Sequence, residues 1–222
     1  MSFRAIKFSE RDEDGFGPDE LLRLTHVSRE TLSKISAFLA VLDQWRERIN
    51  LIGPGEGRRI WKRHVLDSLQ LLDLIGAKDF LVADLGSGAG FPGLVLACAL
   101  AERPNASVAL VEKSPRKSEF LEAAIEAVGL PARVLNQRLE DPAPSKFDVV
   151  TARALAPLPK LLGYAHGWLK PSGKALLVKG KDAVKELTLA RESWTFDLST
   201  RTSLSGPEGQ ILTVSALGPR RA

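Results

Sequence analysis

The chain has 222 residues, a net charge of +4 at pH 7 and 44% hydrophobic residues, a balance that supports a sizeable globular core. No apolar run reaches the roughly 18 residues that cross a bilayer, and the polar N-terminal residues lack the apolar centre of a signal peptide. A single cysteine excludes an internal disulfide. We therefore expect a cytoplasmic protein with no membrane partner, whose mild positive charge permits a nucleic-acid partner without requiring one.

The first 76 residues predict a helical extension. A polar lead-in, residues 1–17, is expected to be frayed, and Pro18 can start a short helix. A longer helix is predicted over residues 28–51, with Ser28 as its N-cap and apolar residues at three- and four-residue steps. A further helix is predicted from Arg58 to a C-capping Gly76.

From residue 77 onward, short apolar strands alternate with helices. Seven strand-like runs begin near residues 80, 106, 132, 147, 174, 194 and 211, and helical stretches separate most of the earlier ones. This alternation predicts βαβ units around a largely parallel sheet. The polar link 199–210 is a poor crossover helix and predicts an antiparallel pair at the end of the sheet. We thus predict a helical cap over 1–76 and one α/β domain over 77–222.

The segment "VADLGSGAGFPG", residues 82–93, places four glycines within eight residues, where a predicted strand gives way to a predicted helix. Such a loop lets a ligand approach the backbone beside a helix N-terminus, at the switch point of a doubly wound sheet. The glycines alone leave three interpretations open: a dinucleotide site, an S-adenosylmethionine site and a structural turn. Asp84 favours S-adenosylmethionine, because its carboxylate would attract the ammonium of a methionine moiety and repel a pyrophosphate.

Two further positions could complete a nucleotide site. Glu112 ends the second predicted strand, where its carboxylate can accept hydrogen bonds from both ribose hydroxyls, although a salt bridge to Lys113 or Arg116 is the structural alternative. The third strand ends in "NQRLED", where the backbone of Leu139 and Glu140 could contact the edge of an adenine.

Several kinds of chemistry find no support in the sequence. Cys98 lies in an apolar helix and is interpreted as a core residue, which removes the nucleophile needed for methylation at pyrimidine C5. The three histidines are far apart, so we expect no metal site. A methyl acceptor that needs no deprotonation is compatible with this sequence. Guanine N7 is such an acceptor, because it has a lone pair and no proton to lose. Arg153, after the fourth strand, could hold guanine O6 or a phosphate, or could form an ordinary surface ion pair.

Several motifs besides the glycine loop are more specific: "NLIGPGEGRRIWKRHVLDSLQLL", "LVEKSPRKSEFL", "FDVVTARALAPL" and "LLVKGK". With them, the chain resembles the glucose-inhibited division protein B family (RsmG) from about residue 45 to about residue 181. These are bacterial guanine-N7 methyltransferases of small-subunit ribosomal RNA. The resemblance implies a Rossmann-like, seven-stranded class I methyltransferase sheet with an N-terminal helical extension, and S-adenosyl-L-methionine as cofactor. It implies 16S ribosomal RNA as partner, naked or in a 30S particle, and we expect a monomer.

The resemblance also assigns expected roles to residues. The expected cofactor-binding positions are Asp84, Gly86, Gly88, Phe91, Glu112, Leu139, Glu140 and Arg153. Three basic residues are the expected catalytic or RNA-contacting set: Arg153, Arg138 and Lys179. A nicotinamide-dependent oxidoreductase and a non-catalytic RNA-binding protein on the same fold are the alternatives.

The helical extension adds a basic segment, "RRIWKRH". On an α-helix, Arg59, Lys62 and Arg63 would share one face, which could contact RNA phosphates or could simply be solvated. His64 and Asp67 are three residues apart and are expected to hydrogen-bond to each other.

Overall fold

The computed structural model describes residues 8, 11–53 and 55–220 of the chain. Residues 1–7, 9 and 10 of the predicted lead-in lie outside the described residues. The prediction of a frayed lead-in is wrong for residues 11–17, because these pack onto the following segment. There, the buried carboxylate of Asp12 accepts hydrogen bonds from the backbone N–H groups of Trp61 (3.1 Å) and Lys62 (2.8 Å).

Two α-helices of the extension follow the predictions closely. Helix α1 spans Pro18–Leu24 and helix α2 spans Arg29–Trp45. The Ser28 hydroxyl caps α2 by accepting a hydrogen bond from the Thr31 N–H at 3.0 Å. The second helix ends at Trp45 rather than near residue 51, and a turn follows it.

The single helix predicted over residues 58–76 is wrong. This part of the chain is wound in four short pieces: a 3₁₀ turn at Glu56–Arg59, a π-helix at Trp61–Leu66, a short helix α3 at Asp67–Leu69 and a second 3₁₀ turn at Leu72–Leu74. Gly76 is not a C-cap; its N–H donates to the Asp79 carboxylate at 2.7 Å. Hydrogen bonds with distant parts of the chain, such as those to Asp12, favour these short helical pieces. The spacing of apolar residues cannot predict such hydrogen bonds.

The sheet has seven strands in the order β3-β2-β1-β4-β5-β7-β6, with β7 antiparallel to both of its neighbours. The antiparallel pair predicted at the sheet end, β6 with β7, is therefore confirmed. The strands are β1 Leu81–Leu85, β2 Ser107–Val111, β3 Ala132–Leu135, β4 Phe147–Arg153, β5 Leu169–Lys179, β6 Trp194–Thr202 and β7 Gln210–Pro219.

Helices cover both faces of this sheet and divide the core in two. The helices are α4 Gly93–Leu100, α5 Pro115–Val128, α6 Leu158–Trp168 and α7 Ala183–Ser193. Alternate strand residues point to opposite faces. Val82 belongs to a cluster with α4, α5 and the extension, whereas its neighbour Ala83 belongs to a cluster with α6 and α7. The extension thus packs on one face of the sheet and shares its core.

No helix among the described residues is both long enough and apolar enough to span a bilayer.

Candidate active site

The glycine loop joins β1 to α4 at the carboxyl end of the parallel strands. Three of its residues, Gly86, Gly88 and Gly90, have positive φ angles of 68°, 53° and 87°, a region that residues with a side chain rarely adopt. The loop is anchored to the neighbouring strand, because the N–H groups of Gly86 and Ser87 both donate to the Val111 carbonyl, at 2.9 and 3.0 Å. The glycines therefore build a tight turn whose backbone is held in one conformation.

Asp84 lies beneath this loop. Its carboxylate accepts one hydrogen bond from the Gly93 N–H at 3.1 Å and another from the Thr151 hydroxyl at 2.8 Å. The side chain is almost fully buried, and burial raises the pKa of this carboxyl to about 6. Asp84 thus ties the first residue of α4 to strand β4, and it can act on a bound ligand only through its field.

Glu112 follows β2 and holds the opposite side of the loop. One carboxylate oxygen accepts from the Gly88 N–H at 3.0 Å, and the other accepts from the Ser114 N–H at 2.8 Å. The suggested salt bridge to Lys113 or Arg116 is not formed. Because an ionised carboxylate has about four acceptor positions, two remain for a ligand at this edge of the sheet.

The turn after β3 carries the predicted adenine-contacting residues. The Leu139 carbonyl accepts from the Trp168 indole N–H at 3.4 Å, and the Tyr164 hydroxyl donates to the Glu140 carboxylate at 2.7 Å. This hydrogen bond is the main reason that the pKa of Glu140 lies below its usual value. Arg138 is exposed beside them, 3.6 Å from the Glu140 carboxylate. Two aromatic side chains of α6 therefore fix the turn.

Arg153 ends β4 and reaches into the helical extension. Its guanidinium donates to the Arg63 carbonyl at 2.9 Å and to His64 Nδ1 at 2.5 Å, and it lies 5.6 Å from the centre of the Phe91 ring. Burial is the main cause that lowers its pKa from the usual value. The sequence places Arg153 at the correct edge of the sheet but does not reveal that its partners are in the extension.

Phe91 of the glycine loop points into the extension rather than along the loop. Its ring is buried, 5.3 Å from the ring of Phe38 and 5.0 Å from that of His64. The Phe91 side chain therefore joins the glycine loop to the extension.

His64 does not pair with Asp67 as expected. Both imidazole nitrogens have other partners, since Nε2 contacts the Glu56 carboxylate at 2.9 Å and Nδ1 accepts from Arg153. Asp67 instead accepts hydrogen bonds from the hydroxyls of Ser203 and Ser205. The contact between Glu56 and His64 is not evident from the sequence, because the 3₁₀ turn and the π-helix change which side chains share a face of this segment.

Lys179 ends β5 and supports the loop after β4. Its ammonium pairs with the Glu186 carboxylate at 2.6 Å and donates to the Ala156 carbonyl at 3.1 Å. In this loop Leu155 lies directly on Gly86, so that a Cβ on the glycine would be 2.5 Å from Leu155 Cδ1. Lys179 therefore fixes a loop that covers the first glycine.

Comparison with known proteins identifies the family. The model of the family described as rRNA small subunit methyltransferase G matches residues 31–211. The chain belongs to this family. Ribosomal RNA small subunit methyltransferase G of Paramagnetospirillum magneticum is 45% identical over 206 residues, which cover 93% of this chain and 98% of that protein. The protein of the same name from Hyphomonas neptunium is 45% identical over 212 residues, covering 96% and 99%.

Solved structures of other proteins share the fold. An O-methyltransferase from Bacillus cereus in complex with SAH has a TM-score of 0.55 at 14% identity, over 82% of this chain and 90% of that one. A SAM-dependent methyltransferase from Aquifex aeolicus has a TM-score of 0.54 at 17% identity, over 70% and 91%. The predicted Rossmann-like, seven-stranded class I methyltransferase fold is confirmed.

Two motifs that carried the resemblance to this family, "RHVLDS" and "TARA", meet in space although 90 residues separate Arg63 from Arg153. The predicted site residues lie at or just after the carboxyl ends of five strands. These strands are neighbours in the sheet, in the order β3, β2, β1, β4 and β5. The fold therefore gathers the predicted site along one edge of the sheet.

The predicted basic face of the extension is largely neutralised. Lys62 pairs with Asp14 at 2.8 Å, and Arg63 lies 3.8 Å from Glu56. Arg59 is exposed and has no ion-pair partner among the described residues. Within the same described part of the chain, no cluster of three or more His, Cys, Asp or Glu side chains is placed to hold a metal ion.

Proposed function

We propose that this protein transfers the methyl group of S-adenosylmethionine to N7 of a guanosine in 16S ribosomal RNA. Its family supports methyl transfer to small-subunit ribosomal RNA as the type of reaction. The observation on which the proposal chiefly rests is that two carboxylates, Asp84 and Glu112, hold the two sides of the glycine loop at the carboxyl edge of the sheet. A ligand in this loop would lie between two negative charges, which favour a cationic ligand over a pyrophosphate.

The residues at this edge fit S-adenosylmethionine. A Cβ added at Gly88 would meet only the Gly86 carbonyl oxygen, at 3.7 Å, so the backbone there is open to close approach by a ligand. Glu112 would accept from ribose hydroxyls through its remaining lone pairs, and the turn at Leu139 and Glu140 would border the adenine. When bound, the cofactor supplies an electrophilic methyl group on a sulfonium.

The acceptor would need alignment more than acid–base catalysis. Guanine N7 presents an in-plane lone pair and carries no proton, so no side chain has to act as a base before methyl transfer. Burial raises the pKa of the Cys98 thiol to about 12, which removes it as a nucleophile. Arg153 would hold guanine O6 or a phosphate and leave N7 free.

The two other basic candidates differ in their surroundings. Arg138 is exposed next to the adenine-side turn, and we propose that it contacts RNA phosphates. Lys179 is largely enclosed and already paired with Glu186. We therefore propose that Lys179 contributes by holding the loop after β4 rather than by touching the substrate.

The partner would be 16S ribosomal RNA in the cytoplasm, with the protein acting as a monomer. The test is transfer of a radiolabelled methyl group from S-adenosylmethionine to naked 16S RNA and to 30S particles stripped of the modification. Nucleoside analysis should then identify 7-methylguanosine. Incorporation into another nucleoside, or none into either substrate while S-adenosylmethionine binds, would refute the proposal.

A further inference from the structure

The Arg153 guanidinium is held at two points, and both partners are uncharged acceptors. One terminal nitrogen donates to the Arg63 carbonyl and the other to His64 Nδ1, so three of the five N–H donors of an arginine remain for other partners. Among the described residues, no carboxylate lies within ion-pair distance of this side chain; Glu56, Asp67 and Asp84 act on it only from further away. Its orientation therefore depends on neutral acceptors.

The state of His64 follows from this contact. An arginine can only donate, so Nδ1 must be unprotonated and the ring proton must lie on Nε2. Nε2 then donates to the Glu56 carboxylate, 2.9 Å away. The ring is buried, and burial together with the charges of Arg153 and Arg63 lowers the pKa of His64 to about 3, so the imidazole is neutral. A protonated His64 could not accept from the guanidinium.

Glu56 fixes which nitrogen carries that proton. It lies in the 3₁₀ turn at the start of the "EGRRIWKRH" segment and is partly exposed. A carboxylate opposite Nε2 stabilises the Nε2–H tautomer, and this tautomer presents the Nδ1 lone pair to Arg153. Arg153 therefore donates to His64, and His64 donates to Glu56, so that this chain of hydrogen bonds links the end of β4 with the extension.

We propose that Glu56 and His64 are positioning residues that orient the Arg153 guanidinium for methyl transfer to RNA. This inference rests on the function proposed above. Without the Nδ1 acceptor the guanidinium would keep only its contact with the Arg63 carbonyl, and a misplaced group in a reacting complex lowers turnover by up to about a hundredfold. Substitutions of Glu56 should leave cofactor binding unaffected, because the contacts of its carboxylate are with His64 and Arg63 and not with the glycine loop.

The first test is a double-mutant cycle on kcat with 16S RNA as substrate. We expect Glu56→Ala to lower kcat about tenfold or more while the Kd for S-adenosylmethionine stays within about twofold. Glu56→Gln should remain close to wild type, since its amide oxygen can still accept from Nε2. In an Arg153→Ala background, Glu56→Ala should cause no further loss. His64→Leu should lower kcat to the same extent as Glu56→Ala.

The matched control is Glu13→Ala. Glu13 is an exposed acid that pairs with Arg58 of the same segment at 3.0 Å and has no hydrogen bond to His64 or Arg153. It should keep wild-type kcat. A comparable loss in this control, or losses for Glu56→Ala and Arg153→Ala that multiply in the double variant, would overturn the proposal.

A second measurement does not depend on activity. Nitrogen NMR of the side chains, with only three histidines to assign, should show His64 as the Nε2–H tautomer at neutral pH. In Glu56→Ala that signal should move towards a mixture of tautomers. An Nδ1–H tautomer in the wild-type protein would overturn the proposal even if the enzyme methylates guanine N7, whereas a wild-type protein that does not methylate RNA would refute the proposed function instead.

Discussion

The carboxylate of Asp84 lies under the glycine loop, and its two oxygens accept hydrogen bonds from the Gly93 N–H and the Thr151 hydroxyl. Its acidic character could be identified from the sequence, and so could Glu112 at the next strand. Their hydrogen bonds to the loop could not, because they depend on where the backbone turns after each strand. Because the Asp84 carboxylate is buried, its attraction for a cationic ligand depends on whether the carboxyl is ionised.

We predict that affinity for S-adenosylmethionine depends on the protonation of Asp84. Burial raises the pKa of this group to about 6, so the carboxyl is neutral below that pH and its attraction for an ammonium is lost. If the ionised form is the one that binds, the Kd should be about tenfold weaker near pH 5 than near pH 7. Calorimetric titration across this range measures the effect.

The variant Asp84→Asn should remove this dependence. Its amide oxygen can accept from the Gly93 N–H, and the Thr151 hydroxyl can turn to accept from the amide nitrogen, so the fold is preserved. We expect weaker binding with a flat profile from about pH 5 to pH 7. Asp79→Asn, on the loop before β1, is the control and should keep the wild-type profile; a flat wild-type profile would contradict the role given to Asp84.

At the scale of elements, the glycine loop is the feature whose sequence gives the most direct prediction. Gly86 and Gly88 both adopt positive φ angles, yet their surroundings differ: a Cβ on Gly86 would collide with Leu155, and one on Gly88 would not collide. The pattern of glycines indicated a tight turn. It gave no indication that the loop after β4 folds onto it.

We therefore predict that Gly86→Ala destabilises the protein more than Gly88→Ala does. The left-handed conformation costs an alanine about 1–2 kcal/mol at either position, and displacing the Leu155 side chain from its rotamer adds about 0.5–1.5 kcal/mol at Gly86 only. Urea unfolding without cofactor measures the difference. Gly167→Ala, within helix α6, should be neutral or slightly stabilising. Equal losses for the two loop variants would mean that Leu155 does not restrict Gly86.

The segment between Glu56 and Leu74 marks the limit of prediction from local pattern. Apolar spacing indicated a helical segment, and the chain is indeed wound there, but as 3₁₀, π and short α pieces. The Asp12 carboxylate accepts from the N–H groups of Trp61 and Lys62 at the start of the π-helix, and the Arg153 guanidinium donates to the Arg63 carbonyl within it. These long-range hydrogen bonds favour one type of helix over another. The spacing of apolar residues within the segment does not predict them.

At the scale of the whole molecule, the extension and the sheet are joined by polar as well as apolar contacts. Asp67 accepts hydrogen bonds from Gln70 at 2.8 Å and from Ser203 at 2.5 Å, so the extension is tied to the link between β6 and β7. Gln70 also donates to the Ser203 hydroxyl at 2.9 Å. The order of elements and the antiparallel end of the sheet could be predicted from the sequence; this junction joins residues more than 130 positions apart and could not.

We predict that Asp67→Ala lowers the free energy of unfolding by about 1–3 kcal/mol, because it leaves buried polar partners unsatisfied. Unfolding should remain a single transition by fluorescence and circular dichroism, since the extension and one face of the sheet share a core. Asp73→Ala is the control: it removes an exposed acid of the same segment, 3.8 Å from Arg201, and should change stability by less than about 0.5 kcal/mol. Separate transitions for helical and sheet signals would contradict a shared core.

The Phe91 side chain has a consequence for how this protein can be divided. Phe91 lies in the glycine loop, the proposed cofactor site, and its ring packs against Phe38 and His64 of the extension. Cutting the chain at residue 76 would expose that ring to water and leave Arg153 without its imidazole acceptor. We therefore expect that a chain beginning at residue 77 would not retain an intact candidate site, because Phe91 and Arg153 both take partners from the described part of the extension.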